Sequence, residues 1–381
     1  MSKVHITLVG GQPAPIYHGI VATQPDYVFY VCSSSADSKR TQKVLKKVLK
    51  NMPCGWYFLS PTDPATIKAF AESLAERFKN DEVTVNISGG LKSWTYWFSI
   101  IFEKQTNAAV VYMDQNNVLW NYRTMQSSSD FEFDMHTLFR LHRNPLENYT
   151  LFKVYDDSDF DAIHDIETCR KFNYADFNKL TTVLSKESQT SLRTKKEGVL
   201  NLPNSQSYVR WNKKTEDGMQ EVELCIYKAE EHIIRKIRSP YAVDLTFFAR
   251  WFECKVAKFL SAWEHAKDIC MNCHFPFKEG IDKNEVDIII NTGTKILFVE
   301  CKTQIFDTTA IDKFRSVVKE YGGTASKGLF VTDARMNDLA KEKCKEHGIL
   351  TYSLMENHAG MSHEEAIAAL LDEELYNINA R

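Results

Sequence analysis

The chain has 381 residues, of which 44% are hydrophobic, so it is long enough for two or three domains with proper cores. Its formal net charge of −3 excludes a protein that binds nucleic acid through overall positive charge, so such a contact needs a local patch. The nine cysteines form no regular framework, and the start MSKVHITLVGG has no signal-peptide pattern. We therefore expect a soluble cytoplasmic protein with reduced thiols and no membrane span.

Short apolar strands alternate with helical segments over the first part of the chain. Strands are predicted at 5–9, 27–35, 55–60, 82–88 and 108–114, and helices at 37–51, 64–80 and 91–105. Asn116 and Asn117 predict a hairpin turn after the fifth strand. Strands separated by helices indicate a mostly parallel sheet covered on both faces. The sequence predicts an α/β, Rossmann-like domain over residues 1–145.

Residues 146–240 give weaker signals, and we interpret them as a connecting region. A helix is predicted at 169–186, and a β-hairpin from 207–214 and 219–227 around an Asp-Gly turn. The stretch 186–214 has an excess of basic residues over Glu187 and Glu197, namely Lys186, Arg193, Lys195, Lys196, Arg210, Lys213 and Lys214. This excess suits either a solvated loop or a path for nucleic acid.

The last part, residues 241–381, is predicted to be a second α/β domain. A long helix is expected at 243–268, and it is followed by strands at 285–291, 295–302, 327–333 and 349–354 and helices at 309–322 and 334–348. Thr292, Gly293 and Thr294 predict the turn between the first two strands. These two strands therefore form a hairpin, which fixes which of their residues lie opposite each other.

Acidic and basic residues interrupt this otherwise apolar hairpin in the stretch ILFVECKTQ. Glu300 and Lys302 are two residues apart, so they share a face, and Asp287 on the partner strand lies close to opposite Glu300. Two converging carboxylates repel each other and favour a cation between them. Oxygen ligands favour Mg²⁺ or Mn²⁺, which can activate water against a phosphodiester. Glu253, inside the aromatic run FFARWFE, is a candidate further ligand because an acid there needs a partner.

A helix Glu, a strand Asp and then Glu-x-Lys, followed by helix, strand, helix and strand, resembles the PD-(D/E)XK nuclease superfamily over about residues 240–355. This resemblance implies a restriction-endonuclease-like domain. It also implies that Asp287 and Glu300 are metal ligands, that Glu253 is an accessory ligand, and that Lys302 is the catalytic lysine. Val286 stands where the superfamily often has proline.

Three polar loops follow strands of the first domain and should meet at the carboxyl edge of its sheet, where ligands usually bind. They contain the candidate ligand-binding residues Gly10, Gly11, Gln12, Pro13, Ser33, Ser34, Ser35, Ser88, Gly89, Gly90, Leu91 and Lys92. Glycines allow close backbone approach, and helix N-termini attract anions. The sequence has neither GxGxxG nor GxxxxGK[ST], so NAD and ATP are not indicated.

Residues 1–140 resemble the CARF domains of CRISPR-associated effectors, on the element Ser88-Gly89-Gly90-Leu91-Lys92, in which Leu91 replaces the usual hydroxyl residue. A CARF domain followed by a PD-(D/E)XK domain resembles the cyclic-oligoadenylate-activated nucleases of type III CRISPR systems. That resemblance implies a homodimer with one cyclic tetra-adenylate across its two-fold axis, and metal-dependent cleavage of single-stranded RNA, DNA or both. The apolar helix at 93–102 fits either the domain core or a dimer interface.

Other interpretations of the sequence stay open. The chain could be a ligand-responsive nucleic-acid-binding regulator whose nuclease fold no longer cuts. It could also degrade its own activator in the first domain, with Lys92 and Ser34 as candidate residues. The stretch Cys270-Met271-Asn272-Cys273-His274 matches a haem-attachment pattern and partly a zinc pattern, but the simpler interpretation is a strand-edge loop with reduced thiols.

Overall fold

The computed structural model describes residues 1–114, 118–128, 134–184, 192, 194–215, 217–247, 249–278, 281–293, 295–304, 308–323, 326–356, 358 and 360–376, without the side chains of 277, 278 and 281–283. The predicted turn at Asn116 and Asn117 lies outside these ranges, as do Lys186, Glu187, Arg193 and Thr294. Within the described ranges, the strands form three successive sheets.

The first sheet has the order β3-β2-β1-β4-β5-β6-β7. Its strands are β1 Lys3–Val9, β2 Tyr27–Cys32, β3 Cys54–Phe58, β4 Glu82–Asn86, β5 Ala108–Met113, β6 Leu119–Asn121 and β7 Gln126–Ser128. β1 to β5 pair in parallel, as predicted, and β6 and β7 add antiparallel edge strands. Because β1 lies between β2 and β4, the strand order reverses there, and the loops after β1 and β4 meet at this switch point.

Four helices cover this sheet, namely α1 Pro13–Thr23, α2 Ala36–Val48, α3 Pro64–Arg77 and α4 Lys92–Glu103. The sequence prediction has no helix at α1, because it places Pro13 in the loop after the first strand. Pro13 stands in the first turn of the helix, where proline costs no hydrogen bond. α4 buries Trp94, Phe98 and Phe102, whereas Tyr96 on the same helix is 58% exposed. One face of α4 therefore belongs to the core, and another is open.

A short helix, α5 Met135–Leu141, connects this domain to the rest of the chain. Phe139 packs against Phe275 and Phe298 in the C-terminal domain, with ring centroids 5.2 and 6.0 Å apart. Leu141 belongs instead to a core cluster of the first domain that contains Val9 and Tyr30. α5 thus contributes side chains to the cores of both domains.

The connecting region has its own antiparallel sheet of order β12-β11-β10-β9. Its strands are β9 Glu197–Asn201, β10 Tyr208–Asn212, β11 Gln220–Lys228 and β12 Glu231–Ser239, and the predicted hairpin corresponds to β10 and β11. Before it, β8 Asn148–Leu151 and a 3₁₀ turn at Phe152–Val154 lead into α6 Asp157–Phe172, α7 Tyr174–Asn178 and a π-helical turn at Lys179–Val183. β8 pairs with the C-terminal sheet. The domain limits at 145 and 240 stay a prediction.

The predicted long helix at 243–268 is wrong in its continuity and its end. The structure has two helices, α8 Ala242–Phe247 and α9 Arg250–Ser261, with Ala249 between them in the left-handed region at φ 58°. Phe247, Trp251 and Phe252 are all buried. Ala249 interrupts the helix with its left-handed backbone, and the aromatic residues on both sides of this break pack in the core.

The third sheet has the order β17-β16-β15-β14-β13-β8. Its later strands are β13 Asp268–Lys278, β14 Ile281–Asn291, β15 Ile296–Lys302, β16 Ser326–Thr332 and β17 Ile349–Ser353, and its helices are α10 Thr309–Gly322, α11 Asp338–Glu346 and α12 His363–Leu375. Cys270 and Cys273 are buried inside β13, so the prediction of a strand-edge loop there is wrong. Both cysteines pack in the apolar core between the sheet and its helices.

Among the residues that the structure describes, no helix combines the length and the apolar composition needed to cross a membrane.

Candidate active site

The register of β14 and β15 brings the predicted acidic residues together. Ile288 pairs with Val299 and Ile290 with Leu297, so Asp287 lies opposite Glu300, directly beyond the last residue pair of the two strands. The backbone N–H of Cys301 donates a hydrogen bond of 2.7 Å to Oδ2 of Asp287. This bond fixes one oxygen of Asp287 against the neighbouring strand.

Lys302 joins the two carboxylates. Its Nζ lies 2.6 Å from Oε1 of Glu300 and 3.5 Å from Oδ2 of Asp287, and it also donates to the carbonyl oxygen of Cys301 at 3.3 Å. The Asp287 and Glu300 side chains are only 14% and 16% exposed, whereas that of Lys302 is 36% exposed. The three side chains therefore form a mostly buried cluster with one side open to solvent.

The carboxyls of this cluster are short of positive charge. Burial, together with the charge of Asp287, raises the pKa of Glu300 to about 7, although Lys302 opposes the shift. Burial lowers the pKa of Lys302, but Asp287 and Glu300 outweigh that effect and leave its pKa above the ordinary value. The lysine is therefore a stable cation, while Glu300 is held close to its titration point.

Glu253 reaches the same cluster from α9. Burial and then the charge of Asp287 raise its pKa well above the ordinary value, with Arg250 and Lys302 opposing the shift. Asn272 on β13 forms a hydrogen bond with Glu253 when the oxygen and nitrogen of its side-chain amide are placed so that each faces a suitable partner. Nδ2 of Asn272 then donates to Oε2 of Glu253 at 3.2 Å, and Oδ1 accepts from Nη1 of Arg250 at 3.2 Å.

Asn272 is the residue at this site that the sequence analysis missed. Met271 pairs with Ile288 and Cys273 with Val286, so Asn272 stands opposite Asp287 in the middle of the sheet. Its φ of 51° is left-handed, and the pairing of β13 with β8 shifts register between Met271 and His274. Such bulges occur next to active sites, where they redirect a side chain, and asparagine tolerates this conformation better than most residues. A polar residue inside an apolar strand was the available signal.

A divalent cation fits the donor atoms of this cluster. Lys302 stands in for a cation here, because its ammonium bridges two carboxylates that otherwise repel each other. Within the described ranges, no group of three or more His, Cys, Asp or Glu side chains is arranged around a metal position. Mg²⁺ is commonly bound by only one or two carboxylates, with water and substrate phosphates as its other ligands. Asp287 and Glu300 would supply those carboxylates.

The three polar loops of the first domain lie together at the carboxyl edge of its sheet. The first and third loops touch closely, since a Cβ atom on Gly10 would lie 2.9 Å from the backbone nitrogen of Gly90. A Cβ on Gly89 would lie 2.3 Å from the backbone oxygen of Leu8. Gly90 has φ +79°, which other residues rarely adopt. These glycines are therefore required for the loops to approach each other, independently of any ligand.

The serines of these loops are used mainly to build the edge. Oγ of Ser35 accepts from the backbone N–H of Ser38 at the start of α2, and Oγ of Ser33 lies 2.8 Å from Oγ of Ser35. Oγ of Ser88 accepts from the backbone N–H of Met113 at 2.7 Å. Ser34 is exposed. The second loop is thus closed by internal hydrogen bonds, and Ser34 is its most available hydroxyl.

Two helices begin at this edge without a side-chain cap. α1 follows Gln12 and α4 follows Leu91, and neither of these residues bonds the first backbone N–H groups of its helix. Gly11, Gln12, Leu91 and Lys92 are exposed. Pro13 and Pro15 leave the first turn of α1 with few N–H groups, so the uncapped start of α4, beside Lys92, makes this an anion-attracting edge.

The elevated pKa of Glu300 predicts how pH changes the stability of the metal-free protein. Between its ordinary pKa of 4.5 and about 7, the unfolded chain loses the proton that the folded chain keeps, so the free energy of unfolding falls as pH rises. Glu300→Gln removes this effect and should raise the free energy of unfolding at pH 8 by roughly 1–3 kcal/mol, with little change near pH 4. Urea denaturation in EDTA at both pH values measures this. The exposed Glu285→Gln on the same strand is the control, and equal effects of both variants would contradict the prediction.

Comparison with known proteins agrees with this architecture. Residues 277–357, which include Asp287, Glu300 and Lys302, match the Mrr_cat family model, described as a restriction endonuclease. No curated protein matches the chain. The fold is similar to that of Can2 from Sulfobacillus thermosulfidooxidans in complex with cyclic tetra-adenylate, with a TM-score of 0.67 and 14% identity over 98% of this chain and 99% of that chain.

Two further solved structures share this fold. Protein VC1899 from Vibrio cholerae has a TM-score of 0.66 and 13% identity over 98% of this chain and 97% of that chain. A type III CRISPR defence DNA nuclease activated by cyclic oligoadenylate has a TM-score of 0.51 and 14% identity over 87% of this chain and 45% of that chain. The resemblance drawn from the sequence is thus confirmed at the level of the fold: a mostly parallel N-terminal sheet domain is joined to a restriction-endonuclease-like C-terminal domain.

Proposed function

We propose that this protein is a metal-dependent endonuclease that cyclic tetra-adenylate activates to cleave single-stranded RNA, DNA or both in CRISPR antiviral defence. The observation that carries the proposal is the convergence of Asp287, Glu300 and Lys302 where the pairing of β14 with β15 ends. These residues lie inside the region that matches the restriction endonuclease model. Two carboxylates can hold a metal ion that assists phosphodiester hydrolysis, and a neighbouring lysine can offset charge on the phosphate.

The roles of the three side chains follow from their surroundings. A Mg²⁺ or Mn²⁺ ion bound by the carboxylates would polarise the phosphate and lower the pKa of a water molecule. Asp287 is oriented for this by the hydrogen bond that it accepts from Cys301. Lys302 stays protonated and is the most exposed of the three, so its ammonium can offset negative charge that develops on the phosphate. Glu253, held by Asn272, is the proposed accessory ligand; burial raises its pKa, so its carboxyl favours the neutral form until a cation is bound.

The activator proposal rests on the anion-attracting edge of the first domain. The uncapped start of α4, with the exposed Lys92 beside it, suits the phosphates of a cyclic oligonucleotide. Can2, which has this fold, binds cyclic tetra-adenylate in its solved structure. A symmetric cyclic ligand suits a two-fold site, so we propose a homodimer with the activator across its axis. Tyr96 and Leu91, exposed on and before α4, are apolar residues near that edge.

Activation requires that the ligand bind the cleaving state more tightly than the resting state. α5 offers a physical connection between the two sites, because Phe139 packs against Phe298 on β15, two residues before Glu300. Leu141 on the same helix packs in the core of the first domain, in the cluster that contains Val9 and Tyr30. A shift of the first domain would therefore move a side chain that touches the strand of the catalytic residues.

A second function is compatible with one observation. Lys302 lies beside both Asp287 and Glu300 and offsets part of their charge, so the cluster can persist without a metal. A ligand-responsive nucleic-acid-binding regulator without cleavage would have the same geometry. Binding that occurs without cleavage under all metal and activator conditions would favour this regulator.

Substituting the central residues should remove cleavage. Glu300→Gln and Lys302→Gln each remove one charge from the cluster and should lower the cleavage rate by roughly 10²- to 10⁴-fold, because both charges act on the reacting phosphate. The measurement is cleavage of labelled single-stranded RNA and DNA with Mn²⁺ and cyclic tetra-adenylate. Glu285→Gln, two residues from Asp287 but 53% exposed, should keep its activity. Wild-type rates in Glu300→Gln would contradict the assignment.

Asn272 should act through the orientation of Glu253. Asn272→Gly keeps the left-handed backbone available but removes both hydrogen bonds, and should lower cleavage by roughly 10- to 100-fold. Asn272→Ala removes the same bonds and adds backbone strain, so it should lose similar activity and also unfold at lower temperature. If Asn272→Gly cleaves like the wild type while Asn272→Ala does not, only the backbone matters.

Lys92 should contribute to activator affinity. Lys92→Glu places a negative charge at the start of α4 and should raise the concentration of cyclic tetra-adenylate needed for half-maximal cleavage by about tenfold or more. Lys104→Glu, at the exposed C-terminal end of the same helix, makes the same charge change far from the loops. Titrating cleavage against activator compares them. An equal effect of both variants would place the activator elsewhere.

A further inference from the structure

A basic groove lies between α2 of the first domain and α5, away from the carboxylate cluster. It encloses about 810 Å³. Seven of its twelve lining residues are basic and none is acidic, and the basic ones are Lys39, Arg40, Lys43, Lys47, Lys50, Arg140 and Arg143. This groove stands out in a chain whose net charge is −3. A concentration of one sign of charge in a concave surface attracts ligands of the opposite sign.

Most of these cations have no acidic partner. Arg40 lies 3.5 Å from Asp37, and both side chains are more than half exposed. In the described part of the chain, Lys43, Lys47, Lys50, Arg140 and Arg143 take part in no ion pair, and all five are exposed. Their charges are therefore available to a ligand.

The excess of basic residues that the sequence shows between 186 and 214 has different surroundings. Arg210 on β10 and Lys236 on β12 both lie within 4 Å of Glu223, at 3.9 and 3.8 Å. Arg235 on β12 lies 3.1 Å from Asp165. Acidic side chains thus lie beside these three cations of that sheet, whereas the lining of the groove between α2 and α5 contains none.

The arrangement of the groove suits a chain of phosphates better than one phosphate group. Lys39, Lys43 and Lys47 are spaced four residues apart, so they form a row along one face of α2. At 1.5 Å per residue, this row is about 12 Å long. Arg140 and Arg143 line the opposite wall. A polyanion that runs along α2 would meet several cations in succession.

Arg143 occupies a backbone position where glycine would cost less conformational free energy. Its φ is 65°, and it directly follows the last residues of α5 in a helix-ending turn. The backbone N–H of Asn144 bonds the carbonyl of Phe139 at 2.9 Å, and that of Arg143 bonds the carbonyl of Arg140 at 3.0 Å. Glycine is the usual residue at this point of such a turn. An arginine side chain here is explained if it is used by a ligand.

Aromatic rings beside the groove indicate unpaired bases. Trp56 and Phe58 on the edge strand β3 are 50% and 45% exposed. Nζ of Lys46 lies 4.0 Å from the ring centre of Trp56, and Nζ of Lys39, which also lines the groove, lies 5.5 Å from that of Phe58. Basic grooves with neighbouring aromatic faces bind single strands, whose bases are free to stack.

We propose that the groove between α2 and α5 binds the phosphodiester backbone of single-stranded nucleic acid, as a capture site separate from the catalytic cluster. The identification of this single strand as the substrate rests on the proposed function. The proposal that the groove binds a single strand does not. A nucleic acid held there would lie against α5, the helix that packs on β15. The groove would raise the local concentration of substrate without contributing a catalytic group.

The test is fluorescence anisotropy of the full chain with labelled 20-nucleotide oligodeoxythymidine and oligouridine in EDTA, at several salt concentrations. The double variant Lys43→Gln and Lys47→Gln should bind about tenfold more weakly at moderate salt. Its plot of log affinity against log salt should become less steep by about 1.4, because each phosphate contact of a single strand contributes about 0.7. The control is Lys68→Gln and Lys79→Gln on the opposite side of the same domain, two exposed lysines with the same charge change. It should bind like the wild type.

Arg143→Gly separates a binding role from a structural one. It relieves the left-handed backbone and should unfold at the same or a higher temperature than the wild type, yet bind the strand several-fold more weakly. Unchanged binding in this variant together with unchanged binding in Lys43→Gln and Lys47→Gln overturns the proposal. An equal loss in the Lys68 and Lys79 control overturns it too, because the effect would then be general charge.

The remaining outcomes separate this inference from the proposed function. If groove variants lose affinity for cyclic tetra-adenylate but not for the single strand, the groove is a small-ligand site and the proposal is wrong. Tighter groove-dependent binding of duplex DNA than of single strands also overturns it. Groove-dependent binding of single strands by a protein that never cuts supports the inference while the proposed function fails.

Discussion

The pairing of Asp287 with Glu300 across β14 and β15 is the constraint on which the rest of the candidate site depends. It brings two carboxylates into a mostly buried position where burial and the charge of Asp287 raise the cost of ionising Glu300. Lys302 offsets part of that cost at 2.6 and 3.5 Å. A site with this charge imbalance favours an added cation, and its open side at Lys302 is the direction from which a phosphate can approach. The surrounding sheet is apolar, so the cluster is kept for its chemistry rather than for packing.

The same strand connects this chemistry to the first domain. Phe298 on β15 contacts Phe139 on α5, and α5 also contributes Leu141 to the core of the first domain. α5 forms one wall of the basic groove as well, through Arg140 and Arg143. One short helix thus touches the proposed ligand domain, the proposed nucleic-acid groove and β15, which contains the proposed catalytic residues Glu300 and Lys302. Binding at either place could change the position of β15 through this helix.

The sequence was sufficient where a local pattern determines the outcome. The turn after Asn291 sets the register of β14 and β15, so the proximity of Asp287 to Glu300 followed from counting residues. The parallel first sheet followed from alternating strands and helices. By contrast, α1 was missed because prolines commonly interrupt helices, although Pro13 occupies the one helical turn that accepts them. Asn272 was missed because its bulge depends on pairing with two neighbouring strands.

Features formed by distant segments could not be predicted in this way. The basic groove joins Lys43 and Lys47 to Arg140 and Arg143, about a hundred residues later in the chain. Each segment alone resembles a solvated basic surface, and only their packing makes a concave site. The break between α8 and α9 likewise has no local signal, because alanine favours helices and Ala249 nevertheless adopts a left-handed conformation.

The central claim is that the carboxylate cluster cuts nucleic acid only when the first domain binds its activator. The most direct measurement incubates the wild-type protein with labelled single-stranded RNA and DNA, in all combinations of Mn²⁺, EDTA and cyclic tetra-adenylate. The account predicts cleavage only when Mn²⁺ and cyclic tetra-adenylate are both present. Equal cleavage with and without the activator would contradict the sensor, and binding without cleavage under every condition would contradict the nuclease.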